Sequence, residues 1–228
     1  MKLLLLMLLL PASLTAMELT PYTAHYSASF SGLRGEMTMA LSDSGEGHYV
    51  LESRTLARGL ARLARPRDMV DRSEFTLDAG QLRPVSFVAE DGTRRNKRGN
   101  TIDFDWNNQS AVTEYRGETR AIGLTDGLLD RQLLQIAMTN DLANGVTEKN
   151  YNVVDRLDKK VYRIQVTGEE RVEVEAGSFN TVRVERQRPG SSRASVLWCA
   201  PELNYLPVKM EQLKDGKVIG TLELTAYE

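Results

Sequence analysis

The chain has 228 residues, with 29 Lys and Arg against 31 Asp and Glu and a formal net charge of −2 at pH 7. That near-neutral balance argues against nucleic acid as the main partner, which would call for a strongly basic surface. A single cysteine forms no internal disulfide, so stability must come from a buried core.

Met1 to Ala16 reads as a secretory signal peptide. Lys2 supplies the positive start, Leu3 to Leu10 is uninterrupted apolar, and Pro11 to Ala16 turns small and polar. The apolar run is about half of the roughly 20 residues that a membrane-spanning helix needs. Cleavage is expected after Ala16, although Leu14 stands where a small residue is preferred. The only cysteine is Cys199, so acylation of a cysteine after the cleavage point is not expected, and the mature protein is expected in the periplasm. Residues 17–228 suit one β-rich domain, since sandwiches and barrels of roughly 200 to 250 residues often form a single unit.

Pro21 to Phe30 alternates Tyr22, Ala24, Tyr26, Ala28 and Phe30 with polar residues, the period-two pattern of a half-buried strand. Turns at Ser31–Gly35 and Asp43–Gly47 lead to strands carrying Met37, Met39 and Leu41, then Tyr49, Leu51 and Ser53, which makes a meander. In Thr55 to Ala64 the pattern changes: Leu56, Leu60 and Leu63 recur at helical spacing among Arg54, Arg58, Arg62, Arg65 and Arg67. The spacing predicts a short amphipathic helix stopped by Pro66. It either plugs one barrel end with a solvated basic face or contacts an anionic membrane.

Strands are expected at Asp68–Leu77, Val85–Glu90, Thr101–Trp106 and Ala111–Arg116. The loop Arg94-Arg95-Asn96-Lys97-Arg98 is a second basic cluster, either a solvated hairpin tip or a second anionic contact. Thr125 to Ala143 predicts the main helix, capped by Thr125 or Asp126 and stopped by Asn144-Gly145. Strands follow near Asn150–Asp155 and Lys160–Glu170. From Glu169 to Glu228 the alternation is sustained, with Val182 and Val184 opposed to Arg183 and Glu185, and Leu206, Val208 and Met210 opposed to Lys209 and Glu211. Asp215-Gly216 marks the last hairpin.

Signals for catalysis are weak. His25 lies on the polar face of the first strand and His48 at a turn, with nothing to link either to a nucleophile. Cys199 reads as a small buried residue. Asp103 and Asp105 share a strand face without a third ligand nearby. No phosphate loop, dinucleotide fingerprint or zinc pattern occurs, so no cofactor or metal is expected and the chain is not expected to be an enzyme. Tyr22, Tyr26, Phe30, Phe104, Trp106 and Trp198 are expected to face the interior, as core or as the lining of a barrel mouth that takes an apolar ligand.

Two stretches carry a family likeness. Glu173–Glu185 (EVEAGSFNTVRVE) and Val196–Glu211 (VLWCAPELNYLPVKME), with the signal peptide, the Tyr-rich first strand and the Asp-Gly-Leu-Leu helix, resemble the bacterial domain-of-unknown-function 3108 family. The resemblance implies a mainly β fold: an antiparallel curved sheet closing into a half-open barrel, with one main α-helix and one short amphipathic helix. Its shape is similar to the periplasmic half-barrels that carry lipoproteins and lipids. It supplies no catalytic residues, and Cys199 departs from the small polar residue expected after the Trp.

The expected function is a non-catalytic periplasmic binding or chaperone-like module for a lipid or amphiphile, with Arg58, Arg62, Arg94 and Arg95 meeting anionic envelope surfaces. A filled interior would favour an interaction module recognising an envelope protein. A His-centred cluster in a cleft would favour a hydrolase.

Overall fold

The computed structural model describes residues 17–78 and 80–228. The expected signal peptide and its cleavage point lie outside the described residues.

The elements run β1 (Tyr22–Phe30), β2 (Leu33–Gly45), β3 (His48–Ala57), α1 (Ala61–Ala64), β4 (Met69–Asp78), β5 (Gln81–Asp91), β6 (Asn100–Asp105), β7 (Ser110–Tyr115) and β8 (Glu118–Gly123). The second half follows with β9 (Leu129–Asp130), α2 (Leu133–Ala143), β10 (Glu148–Asp155), β11 (Asp158–Val174), β12 (Gly177–Gln187), β13 (Arg193–Ala200), a 3-10 turn at Pro201–Leu203, β14 (Leu206–Lys214) and β15 (Lys217–Tyr227). All fifteen strands form one sheet, ordered β8 to β1 and then β15 to β9. Every pair is antiparallel except β9 with β10, and the first and last strands pair in the middle. The sheet curls into a half-open barrel, as the family resemblance implies.

α2 plugs one end of that barrel. Its Leu133, Leu134, Ile136 and Met138 are buried against Leu51 and Phe75 from one half of the sheet and Ile164, Val184, Leu197 and Cys199 from the other. A second cluster joins Tyr26, Met37 and Leu224 to Trp198, Val208 and Val172. Here the long β11–β12 hairpin bends at the register shift between Val166 and Gly168, and its tip reaches β15, where Ala176 N–H donates to the Leu224 carbonyl at 3.1 Å. A third cluster, with Phe87, Ile102, Ala111 and Ile122, lies on β5–β8 and receives Val154 from β10.

Both predicted helices are shorter than their spacing implies. β3 continues through Ala57, paired to β2 at Gly35–Met37, and α1 keeps four residues with Leu60 and Leu63 pointing into solvent. The main helix starts at Leu133 rather than Thr125. The fully buried Asp130 carboxylate accepts the backbone N–H groups of Gln132 and Leu133 at 2.8 and 2.9 Å, so it, and not Thr125 or Asp126, satisfies the orphan donors of the first turn. Leu129 and Asp130 are drawn into the sheet beside Val153 and Val154.

The β9–β10 edge is laid over the inner face of β4–β7 and held there by side chains. Ser73 on β4 donates to Asp130 Oδ2 at 2.6 Å, and Arg131 pairs with Asp71 on β4. Farther along, Arg156 N–H donates to Asn100 Oδ1 at 3.1 Å, and Thr113 Oγ1 donates to the Arg156 carbonyl at 2.7 Å. No strand ladder crosses this seam among the described residues.

The open barrel end as candidate functional site

Residues paired directly across antiparallel strands point to the same face. The inner row Ala57–Gly35–Ala28–Leu222–Met210–Leu197 can therefore be followed from strand to strand. On β1–β3 this row is made of the smallest side chains, which leaves volume where larger residues would have filled the barrel. The result is a pocket of about 390 Å³ at the end opposite α2, walled by Met37, Met69, Met210 and Leu222 with Phe30 and Leu33 at its rim. The Phe30 ring rests on Gly220, where an added Cβ would stand 2.9 Å from Phe30 Cδ2. Close approach explains the glycine here.

Around this mouth the surface is apolar and basic. Phe30 and Leu33 are each 49% exposed, and Leu60 and Leu63, in and beside α1, are 81% and 82% exposed. Large apolar side chains rarely gather on a surface without a partner. The turns that close this end carry Arg58, Arg62, Arg65 and Arg67 in one loop, Arg94, Arg95, Lys97 and Arg98 in the next, and Arg116, Arg156 and Arg188 in three further turns. Arg67 N–H donates to the Gly92 carbonyl at 3.1 Å, which sets the two basic loops side by side. Arg95, Lys97, Arg98 and Arg116 line an open polar cleft of about 850 Å³. Two of the cations are paired at the surface: Arg58 with Glu36 at 2.6 Å, which holds the Glu36 carboxyl below its ordinary range, and Arg62 with Asp68 at 3.4 Å. The plugged end, by contrast, carries Glu18, Glu46, Asp126, Glu175, Glu202 and Glu228 in its loops and termini. A net charge near zero thus conceals a molecule with one basic and one acidic pole.

The expected ligand-lining aromatics are divided among several places. Phe30 alone lines the open pocket, and it is half-exposed rather than interior. Tyr26 is buried above it, its hydroxyl donating to the Pro207 carbonyl at 3.0 Å, and Tyr22 stacks on Tyr227 nearer the plugged end. Phe104 and Trp106 pack on the β5–β8 cluster, where Trp106 Nε1–H donates to the Pro84 carbonyl at 2.8 Å. Trp198 is buried under the β11–β12 hairpin. Of the four expected surface cations, Arg58 and Arg62 flank the mouth and Arg94 and Arg95 sit on the adjoining loop.

The catalytic candidates do not converge. His25 Nδ1 meets only Thr38 Oγ1 at 3.2 Å, His48 is exposed on β3, and burial pushes the Cys199 thiol up to about 12. Among the described residues no three His, Cys, Asp or Glu side chains form a metal-holding group, and no helix is long and apolar enough to cross a membrane.

A family model described as a protein of unknown function, DUF3108, matches residues 21–225. The chain belongs to the DUF3108 family. No curated protein matches it. The DUF3108 chain is similar in fold to a β-barrel-like protein of the DUF1849 domain of unknown function from Brucella abortus, at 12% identity and a TM-score of 0.57, over 93% of this chain and 98% of that one. Looser likenesses, each at a TM-score of 0.38, are to a chain of the Pseudomonas aeruginosa MucA/MucB complex (12% identity, 91% of this chain, 51% of that one) and to a Bacteroides fragilis protein of YmcC-like fold described as exported (9% identity, 91% and 95%). At these identities the first likeness concerns the fold alone, and the other two carry no functional argument.

Proposed function

We propose that this DUF3108 protein is a non-catalytic binding protein of the bacterial envelope. Its half-barrel takes up an amphiphilic, lipid-like ligand while the open end rests on an anionic membrane surface. One observation carries the reading: an apolar pocket, an exposed apolar rim and a ring of basic turns coincide at one end of the barrel. A volume of about 390 Å³ falls in the range of small-molecule sites, and each methylene moved from water into such a lining contributes roughly 0.8 kcal/mol. The basic turns add attraction to acidic head groups that weakens with salt.

The membrane contact is tested by co-sedimentation with vesicles containing a fifth phosphatidylglycerol. Leu60→Ser combined with Leu63→Ser is expected to reduce vesicle binding by roughly 30- to 100-fold, the loss of two partly inserted leucines. Because both side chains are exposed, unfolding free energy should change by no more than about 0.5 kcal/mol. Equal binding by the double variant, or equal binding to neutral vesicles, would remove the membrane from this proposal.

The pocket is tested separately, by native mass spectrometry and uptake of a fluorescent fatty acid. Leu222→Arg places a cation on the pocket wall and is expected to abolish uptake while vesicle binding persists. A purified protein with the bare chain mass and no uptake of the probe would instead favour an interaction module that recognises another envelope protein.

A further inference from the structure

One cation inside the barrel has no counter-charge. Arg186 is directly opposite the buried Ile164 on β11 and Ser195 on β13. Ser195 shares its face of β13 with Leu197 and Cys199, which pack in the α2 core, so Arg186 projects into the barrel and not onto its outer wall. Its guanidinium donates to Ser195 Oγ at 3.3 Å, a long contact to an uncharged group. Among the described residues no carboxylate lies within 4 Å of it. The groups nearest in charge terms are Tyr162 and Cys199, both kept uncharged at neutral pH because burial raises them. Burial lowers Arg186 itself from its ordinary value, yet a guanidinium stays protonated in any protein. Arg186 is half-buried, so its charge faces the barrel interior with no anion beside it.

Position supplies the missing partner. Across the sheet from Arg186, Ser195 is paired with Gln212, and Gln212 lines the apolar pocket. Adjacent strands lie about 4.8 Å apart, so Arg186 stands roughly two strand spacings from the pocket wall, within reach of the head of a molecule whose chain lies against Met210 and Leu222. We infer that Arg186 is the head-group site of this pocket, and that the ligand is a single-chain amphiphile with an acidic head, carboxylate or phosphate. The inference rests on the amphiphile-binding reading and specifies its chemistry. Ser195 and Gln212 supply further hydrogen bonds to the head, and Arg186 selects it by charge.

Calorimetric titration of the whole protein with tetradecanoate, tetradecanol and inorganic phosphate, repeated on Arg186→Gln, tests the assignment. In the wild type the acid is expected to bind at least about 10-fold more tightly than the alcohol, as a charge-assisted hydrogen bond to a half-buried cation implies. Phosphate alone should bind far more weakly than the acid. Arg186→Gln should lower acid affinity roughly 10- to 100-fold and leave the alcohol unchanged. A thermal melt at or above that of the wild type would show that the variant is folded. Equal affinity for acid and alcohol, or equal loss of both in the variant, overturns the assignment and leaves apolar binding standing. Phosphate binding as tight as the acid overturns the amphiphile in favour of a small-anion site. If neither chain binds, the reading beneath the inference fails and takes the inference with it.

Discussion

Trp198→Ala is expected to destabilise the protein by about 4 kcal/mol in urea unfolding, within the range for removing a buried tryptophan. Trp198 lies in the second core cluster with Val172 and Val208, its Nε1–H donates to Glu170 Oε1 at 2.5 Å, and its ring is flanked by Lys209 Nζ at 4.9 Å and the Arg183 guanidinium at 5.9 Å. Glu170 and Arg183 belong to the hairpin that folds over this part of the sheet. The lost side chain therefore leaves a cavity and also loosens the hairpin, so hydrogen exchange should accelerate at Val172 and Ala176 before it does so in α2. Trp198→Phe keeps most of the volume and should recover more than half of the loss. A cost below about 1 kcal/mol for the alanine variant would mean that the hairpin is not anchored by this ring.

Asp130→Asn should stabilise the protein by about 2 kcal/mol at pH 7.5 and have little effect at pH 4. Asp130 is fully buried, and burial, partly offset by the hydrogen bonds from Ser73, Leu133 and Gln132, raises its pKa from 3.8 to about 6. A folded-state pKa above the unfolded one means that the protonated acid is favoured by folding. The associated stability is complete below pH 3.8 and is lost as pH rises through 6, about 3 kcal/mol in all. Asparagine imitates the neutral acid: Oδ1 can still accept the Gln132 and Leu133 N–H groups, and Nδ2 can donate to Ser73 Oγ. One amide proton left without a partner subtracts about 1 kcal/mol. Melting temperatures across pH 4 to 8 give the comparison. The wild type should lose stability through pH 6 and the asparagine variant should not; parallel curves would show that Asp130 does not titrate in this window.

Period-two alternation made most of the strands legible, from Tyr22–Phe30 through the long C-terminal block, because one buried face suffices to write that pattern. It fails where both faces are covered. Ser195 to Ala200 are buried without exception, since α2 lies on one side and the folded-back hairpin on the other. Parity could not tell which side Trp198 takes. The helix was misplaced at its start for a related reason: Leu128 and Leu129 fit a helical stripe, but they are buried by the seam and the third cluster, contacts remote in sequence. β8, with one buried residue in six, offered no pattern at all. Of the site, the basic loops could be read directly. The pocket could not, because it arises from Ala28, Gly35 and Ala57 falling into one row, and small residues on separate strands acquire meaning only with the register. Arg186 left a trace, an arginine at the inward position after Val182 and Val184, which taken alone resembles the fraying of a strand end.

The meeting of the first and last strands at the centre of the sheet also bears on assembly. Thr23 and Glu228 exchange both backbone hydrogen bonds at 2.9 Å, whereas the two edges of the sheet, β8 and β9, are separated in sequence only by residues 124–128. Each half is a succession of local hairpins apart from the step through α2, and one pairing, β1 with β15, joins the most distant parts of the chain. Loop-closure entropy falls most heavily on that single step. As the chain emerges, the amino-terminal meander can form early, but its first strand must wait with one side unpaired until the last strand arrives, which makes β1 the segment most open to capture by another chain.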